Sequence, residues 1–325
     1  MKIALIDTGI DLNNKSLKVI GGVNFISGMK EGEYQDDNGH GTYCASIIQR
    51  VCPQAEFFVI KALNDQAEGS ISMLKQALKY LKDTGIRVAC LSLATREYDE
   101  ELKQLCKELV QKDFILVSSV ANGSAESYPA VFPGVIGVNS ILMNNRESYW
   151  YDKEKIVQCV ADITPVMVPE LDGTYVMFGG NSKANAYISG KILNRLIKEP
   201  EVCLVDLEEH LQDEADKIFW RISDILEGRK CKYDSGTEKI VGPSKIKNDI
   251  YQILCEYFNI TEFKIREILV QTPLNMILRQ RGFYVILKKF EDRYGIMIDY
   301  LKIEFKKFQN IDILACYIQE LFHLE

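Results

Sequence analysis

The chain has 325 residues, 47% of them apolar and 26% charged, enough for one large domain with a small one or for two of medium size. A net charge of −7 with no basic run argues against a nucleic-acid partner, and no apolar run is long enough to span a membrane. The nine cysteines are odd in number and lack paired metal-ligand spacing, so they read as reduced thiols of a cytoplasmic protein, and no signal peptide is expected ahead of Asp7.

In chain order, Lys2 to Ile6 reads as a buried parallel strand that ends in Asp7-Thr8-Gly9-Ile10-Asp11, with a carboxylate at its C-terminal edge, where open α/β sheets place their sites. A second strand is expected over Val19 to Phe25. A loop through Asp36-Asp37 follows; its carboxylates read as solvated charge, with a calcium ligand as the alternative. Asn38-Gly39-His40-Gly41-Thr42 then opens a helix, so His40 is a reachable imidazole suited to proton transfer near neutral pH. Ala55 to Leu63 and Val88 to Ala94 read as strands. Ser70 to Leu81 and Glu100 to Gln111 read as helices, the first with Ile71, Leu74, Leu78 and Leu81 inward. Phe114 to Ala121 is a further strand, ending in Asn122-Gly123.

Gly179-Gly180 allows a sharp turn after Tyr175-Val176-Met177-Phe178. It delivers Ser182 to the start of a helix whose Ala184, Ile188, Ile192, Leu193 and Leu196 recur at helical spacing. A serine there meets unpaired N–H groups and the positive end of the helix dipole. An ordinary N-cap serine is the alternative reading.

Asp7, His40 and Ser182 stand in one of the chain orders known for the hydrolytic triad. The blocks Asp7-Thr8-Gly9-Ile10-Asp11, His40-Gly41-Thr42 and Gly180-Asn181-Ser182-Lys183-Ala184 resemble, in order, the three active-site blocks of the subtilisin-like serine peptidases, and the likeness covers roughly residues 1–198. It implies an α/β fold, a parallel sheet with flanking helices, with Asn122 as oxyanion donor. It also implies peptide binding along Ser92, Leu93 and Ala94, with Ser127 as a further substrate-binding residue. No metal or other cofactor is expected. The family usually has Met where this chain has Lys183, and two glycines where it has Ala94-Thr95. The family's secreted members carry a propeptide, and none is expected ahead of Asp7.

The domains expected are a peptidase domain over 1–199, a helix and linker over 200–245, with the helix at Leu204 to Glu227 and the linker at Gly228 to Gly242, and a helical domain over 246–325. In the last, Ile246 to Phe258, Phe283 to Tyr294 and Ile313 to Leu321 carry helical spacing. Leu287 to Ile298 and Phe308 to Asp312 resemble the second half of acyl carrier proteins, but residues 246–325 contain no serine to hold their prosthetic arm. The leading expectation is therefore a cytoplasmic serine endopeptidase that trims a ribosomally made, modified precursor peptide, with the C-terminal domain recruiting that peptide or a maturation enzyme. A catalytically weak peptide-binding scaffold and a general intracellular subtilisin are the alternatives.

Overall fold

Ile3-Ala4-Leu5-Ile6 lies in β1 (Lys2–Asp7), and the other strands of the main sheet build outward from it. β2 (Val19–Asn24), α1 (His40–Val51), β3 (Glu56–Lys61), α2 (Ile71–Leu81), β4 (Val88–Leu91), α3 (Glu100–Gln111), β5 (Ile115–Ser119) and β6 (Val135–Ile141) follow. Then come β7 (Tyr149–Tyr151), β8 (Cys159–Asp162), β9 (Val166–Pro169), β10 (Tyr175–Phe178) and α4 (Gly180–Lys198). The remaining helices are α5 (Leu204–Asp213), α6 (Ile222–Lys230), α7 (Ser244–Phe258), α8 (Glu262–Gln271), α9 (Leu274–Ile277), α10 (Gly282–Tyr294) and α11 (Ile311–Leu321). The computed structural model describes residues 1–123, 126–230 and 241–323, which form two units.

The first unit holds residues 1–164, 170–172 and 179–230. Its sheet has the order β2-β3-β1-β4-β5-β6-β8-β7, parallel throughout except for β7, which runs antiparallel to β8 on the edge. Side chains alternate across the pleat. Ala4 and Ile6 join Leu74, Leu78 and Leu81 of α2 and Leu102, Cys106 and Leu109 of α3 in one core, while Ile3 and Leu5 point to the opposite face, where α1 and α4 pack together. Burying each such side chain is worth about 1.5–3 kcal/mol. Ser70 caps α2 by accepting from the Met73 N–H at 3.2 Å, and Asp99 caps α3 by accepting from the Leu102 N–H at 2.7 Å. The strand order turns back between β1 and β4, so the C-terminal ends of those strands open the crevice in which a ligand of such a sheet sits.

The second unit holds 165–169, 173–178 and the described residues from 241 onward. Its core combines Met167 of β9 and Met177 of β10 with Ile250 and Leu254 of α7, Phe283, Leu287 and Phe290 of α10, and Leu314 and Ile318 of α11. Tyr175 stacks on Tyr300 with ring centroids 4.7 Å apart, and the Met177 N–H donates to the Gln280 carbonyl at 3.1 Å.

Several elements differ from expectation. The run Tyr175 to Phe178 is one arm of a β9–β10 hairpin that groups with the helical unit, whereas a domain over 1–199 takes it as part of the sheet-bearing half. Leu204 to Glu227 is two helices, broken over 214–221 where Trp220 turns inward beside Ile141, Met143 and Val160. In the linker expected over 228–242, residues 231–240 lie outside the described residues and 228–230 still belong to α6. β7, β8 and β9 are three or four residues long and α9 four, too short for periodicity to mark them, and in α8 only Ile265 is buried.

Candidate active site

Asp7 ends β1 and is fully buried. Its Oδ1 accepts from the Thr8 N–H at 2.8 Å and lies 2.7 Å from His40 Nδ1. His40 is the first residue of α1, and its approach to Asp7 depends on Gly41. A Cβ there would stand 2.2 Å from the Gly9 carbonyl oxygen, so only glycine lets the helix start against the strand end. Burial of the ring lowers the His40 pKa, but the charge and hydrogen bond of Asp7 outweigh it, and the net shift is upward from 6.5. Asp7 engages Nδ1, and His40 lines the cleft.

The loop before α1 is fastened by Asp36. Its Oδ1 accepts from Thr8 Oγ1 at 2.9 Å and from the N–H groups of Asn38 and Gly39 at 3.0 and 2.9 Å. Its Oδ2 accepts from the N–H and hydroxyl of Thr42 at 2.9 and 2.6 Å. Asp36 is therefore buried and saturated by protein donors, against the expectation of a solvated loop charge, while Asp37 pairs with the buried Lys61 at 2.7 Å.

Ser182 lies in the first turn of α4, whose N-cap is Gly179, so it is not an N-cap residue. Gly180 has φ +82°, a left-handed conformation natural to glycine, and it turns the chain from β10 into the helix. Asn181, which sequence reasoning passed over, anchors the turn. Its amide donates to the Val120 carbonyl at 2.7 Å and its Oδ1 accepts from Ser140 at 2.5 Å. The residue after Ser182, Lys183, is buried and paired with Asp162. Burial lowers its pKa, with the Asp162 charge and hydrogen bond opposing.

His40, Ser182 and Asn122 line one cleft of about 780 Å³, together with Ser92, Leu93 and Ala94. Asn122 follows β5, its Oδ1 close beside Gly180. Leu93 and Ala94 have no backbone hydrogen-bond partner among the described residues, whereas Thr95 pairs with Tyr128 through two bonds of 2.8 and 2.9 Å. Asn185 of α4 holds the wall from behind, donating to Ser92 Oγ at 3.1 Å and to the Leu91 carbonyl at 3.3 Å. Ser127, expected at the substrate, is absent from the cleft lining: it is buried and its hydroxyl accepts from the Ala121 N–H at 2.8 Å, bracing the strand end. Ser124 and Ala125 lie outside the described residues.

Among the described residues, one group of three metal-type donors occurs, Asp7, His40 and Cys44. Burial and the Asp7 charge push the Cys44 thiol well up, which opposes the thiolate that a metal requires, and Asp7 already engages His40. The arrangement instead suits proton transfer between an imidazole and a hydroxyl beside amide donors.

The model of the "Subtilase family" matches residues 1–215. Subtilisin BL of Lederbergia lenta is 28% identical over 229 residues, covering 67% of this chain and 84% of that protein. The Intracellular serine protease of Paenibacillus polymyxa is 29% identical over 220 residues, 61% of this chain and 67% of the relative. The crystal structure of a cold adapted subtilisin-like serine proteinase superposes with a TM-score of 0.60 at 19% identity, covering 69% of this chain and 85% of that one.

Proposed function

The chain belongs to the subtilase family of serine peptidases, and we propose that it is an endopeptidase acting inside the cell on a restricted set of peptides through an Asp7-His40-Ser182 triad. The carrying observation is the single cleft lined by His40, Ser182 and Asn122, with Asp7 bonded to the far side of the imidazole. Ser182 Oγ attacks the scissile carbonyl while His40 Nε2 takes its proton, and Asp7 holds the imidazolium. The oxyanion is met by the Asn122 amide and the Ser182 N–H at the start of α4. The amine leaves with the proton from His40, and water, activated by the same imidazole, frees Ser182 from the acyl-enzyme. Substrate adds as a strand along Leu93 and Ala94, whose backbone groups are unengaged, and the pairing stops where Thr95 is already taken by Tyr128.

An intracellular setting is supported by eight free cysteines among the described residues, five of them buried, and by the likeness to a protein named an intracellular serine protease. We assign the processing of a ribosomally made precursor peptide, recruited with or without a maturation enzyme through the C-terminal helices as a serine-less carrier-like module, as the narrowest form of this reading. It rests on the sequence likeness of that region and on the gain in effective concentration that recruitment gives. The departure at Lys183, where the family usually carries Met, motivates a second reading, a peptide-binding scaffold with little turnover.

The test is intact-mass analysis after treatment with a fluorophosphonate, wild type against Ser182→Ala. One adduct in the wild type, absent from the variant, is expected; a folded wild type without adduct overturns the peptidase reading. Digestion of casein against a defined peptide library then separates the uses: a few cleaved sequences support processing, and broad casein digestion supports a general protease.

A further inference from the structure

The residue after the nucleophile is a buried cation. Lys183 Nζ lies 2.9 Å from the Asp162 carbonyl oxygen and 3.0 Å from Asp162 Oδ2, with the two side chains 4% and 0% exposed. Asp162 is itself a junction. Its Oδ1 accepts from the Met143 N–H at 3.1 Å and from the Thr164 hydroxyl at 2.8 Å, and its Oδ2 also accepts from the Thr164 N–H at 2.9 Å. The end of β8, the segment after β6 and the first turn of α4 thus meet at one carboxylate.

A buried ion pair is no better for stability than apolar side chains of the same volume, because desolvation offsets the attraction. What it supplies is direction: two hydrogen bonds from the ammonium, one to the carboxylate and one to the carbonyl of Asp162, fix a separation and an angle that packing alone leaves softer. This part of the chain has a need for that. Segments 165–169 and 173–178 belong to the second unit, and the chain re-enters the first at Gly179, three residues before Ser182. Asp162 stands just before that excursion and Lys183 just after it.

We propose that Lys183, through Asp162, is a positioning residue for Ser182: the pair clamps the first turn of α4 to the end of β8 and so holds the hydroxyl in one place relative to His40 and Asn122. Balanced by Asp162, Lys183 also adds no net charge to the first turn of α4. Lys183→Met alone leaves the buried Asp162 carboxylate uncompensated.

This inference rests on the serine-peptidase reading, and its test keeps the two apart. Rates of fluorophosphonate labelling and, with a cleaved peptide, kcat and KM are measured for the wild type, Lys183→Met and the double variant Lys183→Met/Asp162→Asn. The double variant leaves no unpaired charge and is expected to fold even where the single one does not, with a lowered melting temperature because its amide nitrogen cannot accept the hydrogen bond that Asp162 Oδ2 takes from the Thr164 N–H. The clamp predicts that the folded double variant labels roughly tenfold to a hundredfold more slowly than the wild type. kcat falls by a similar factor while KM stays within about threefold. A double variant that labels and turns over like the wild type overturns the clamp and leaves the pair as mutual neutralisation. Failure of the double variant to fold also overturns it, since the pair would then serve the fold and not the nucleophile. An unlabelled wild type refutes the peptidase reading itself, a different result from either.

Discussion

At the scale of the residue, the candidate site is an imidazole held between a buried carboxylate and an open cleft. In the proposed mechanism His40 must be neutral to act as general base, and the Asp7 charge holds its pKa above 6.5 against the opposing effect of burial. The acid limb of kcat/KM is therefore expected to reach its half-value above pH 6.5. Asp7→Asn should move that limb downward and lower kcat by about 10⁴, read from a pH series on both proteins. The linkage runs the other way for stability. A histidine with a raised folded-state pKa contributes stabilisation that is complete below 6.5 and is lost as the pH climbs through the raised value. Asp7, His40 and Ser182 were legible in the sequence because each sits in a short block of glycine and hydroxyl residues, and the blocks come in order. Asp36, Asn181, Asn185 and the Lys183–Asp162 pair were not, since each also acts through partners well outside its own turn, such as Thr8 for Asp36, Val120 for Asn181 and Leu91 for Asn185, that no local pattern announces. The nearest signal was Lys183 itself, a charge at a position where the family usually carries Met.

At the scale of the element, the site depends on how closely α1 and α4 approach the strand ends. Gly41 marks the tighter of the two. Gly41→Ala is expected to cost roughly 1–3 kcal/mol, seen as a lower denaturant midpoint, and to slow labelling of Ser182 because His40 is pushed off the Asp7 edge. If the midpoint and the labelling rate both match the wild type, the close approach is not required. The strands β1, β3, β4 and β5 could be read from their apolar runs, and α2 and α3 from their repeats, because sheet and helices share one buried layer. The strands around β7 to β9 are three or four residues long and are specified by neighbours more than by their own composition.

At the scale of the whole molecule, the informative feature is which unit owns the β9–β10 hairpin. Met177 is buried among the side chains of the helical unit, so Met177→Ala should cost about 2–5 kcal/mol there. In a thermal or denaturant profile with separate transitions, the one that moves is expected to be that of the second unit, reported by hydrogen exchange in α7 and α10. Loss confined to the sheet of the first unit would contradict that ownership. Sequence position alone hides the arrangement, because the hairpin lies between two segments of the sheet-bearing half and its packing partners come some 70 residues or more later.

The same hairpin sets an order of events during synthesis. A nascent chain that has emerged as far as α5 already carries Asp7, His40 and Ser182, yet β9 and β10 still lack the helices that enclose Met167 and Met177. Those partners arrive only with residues as far along as Ile318 and Phe322. The stretch leading directly into Ser182 thus gains its enclosing partners only after Asp7, His40 and Ser182 have all been made.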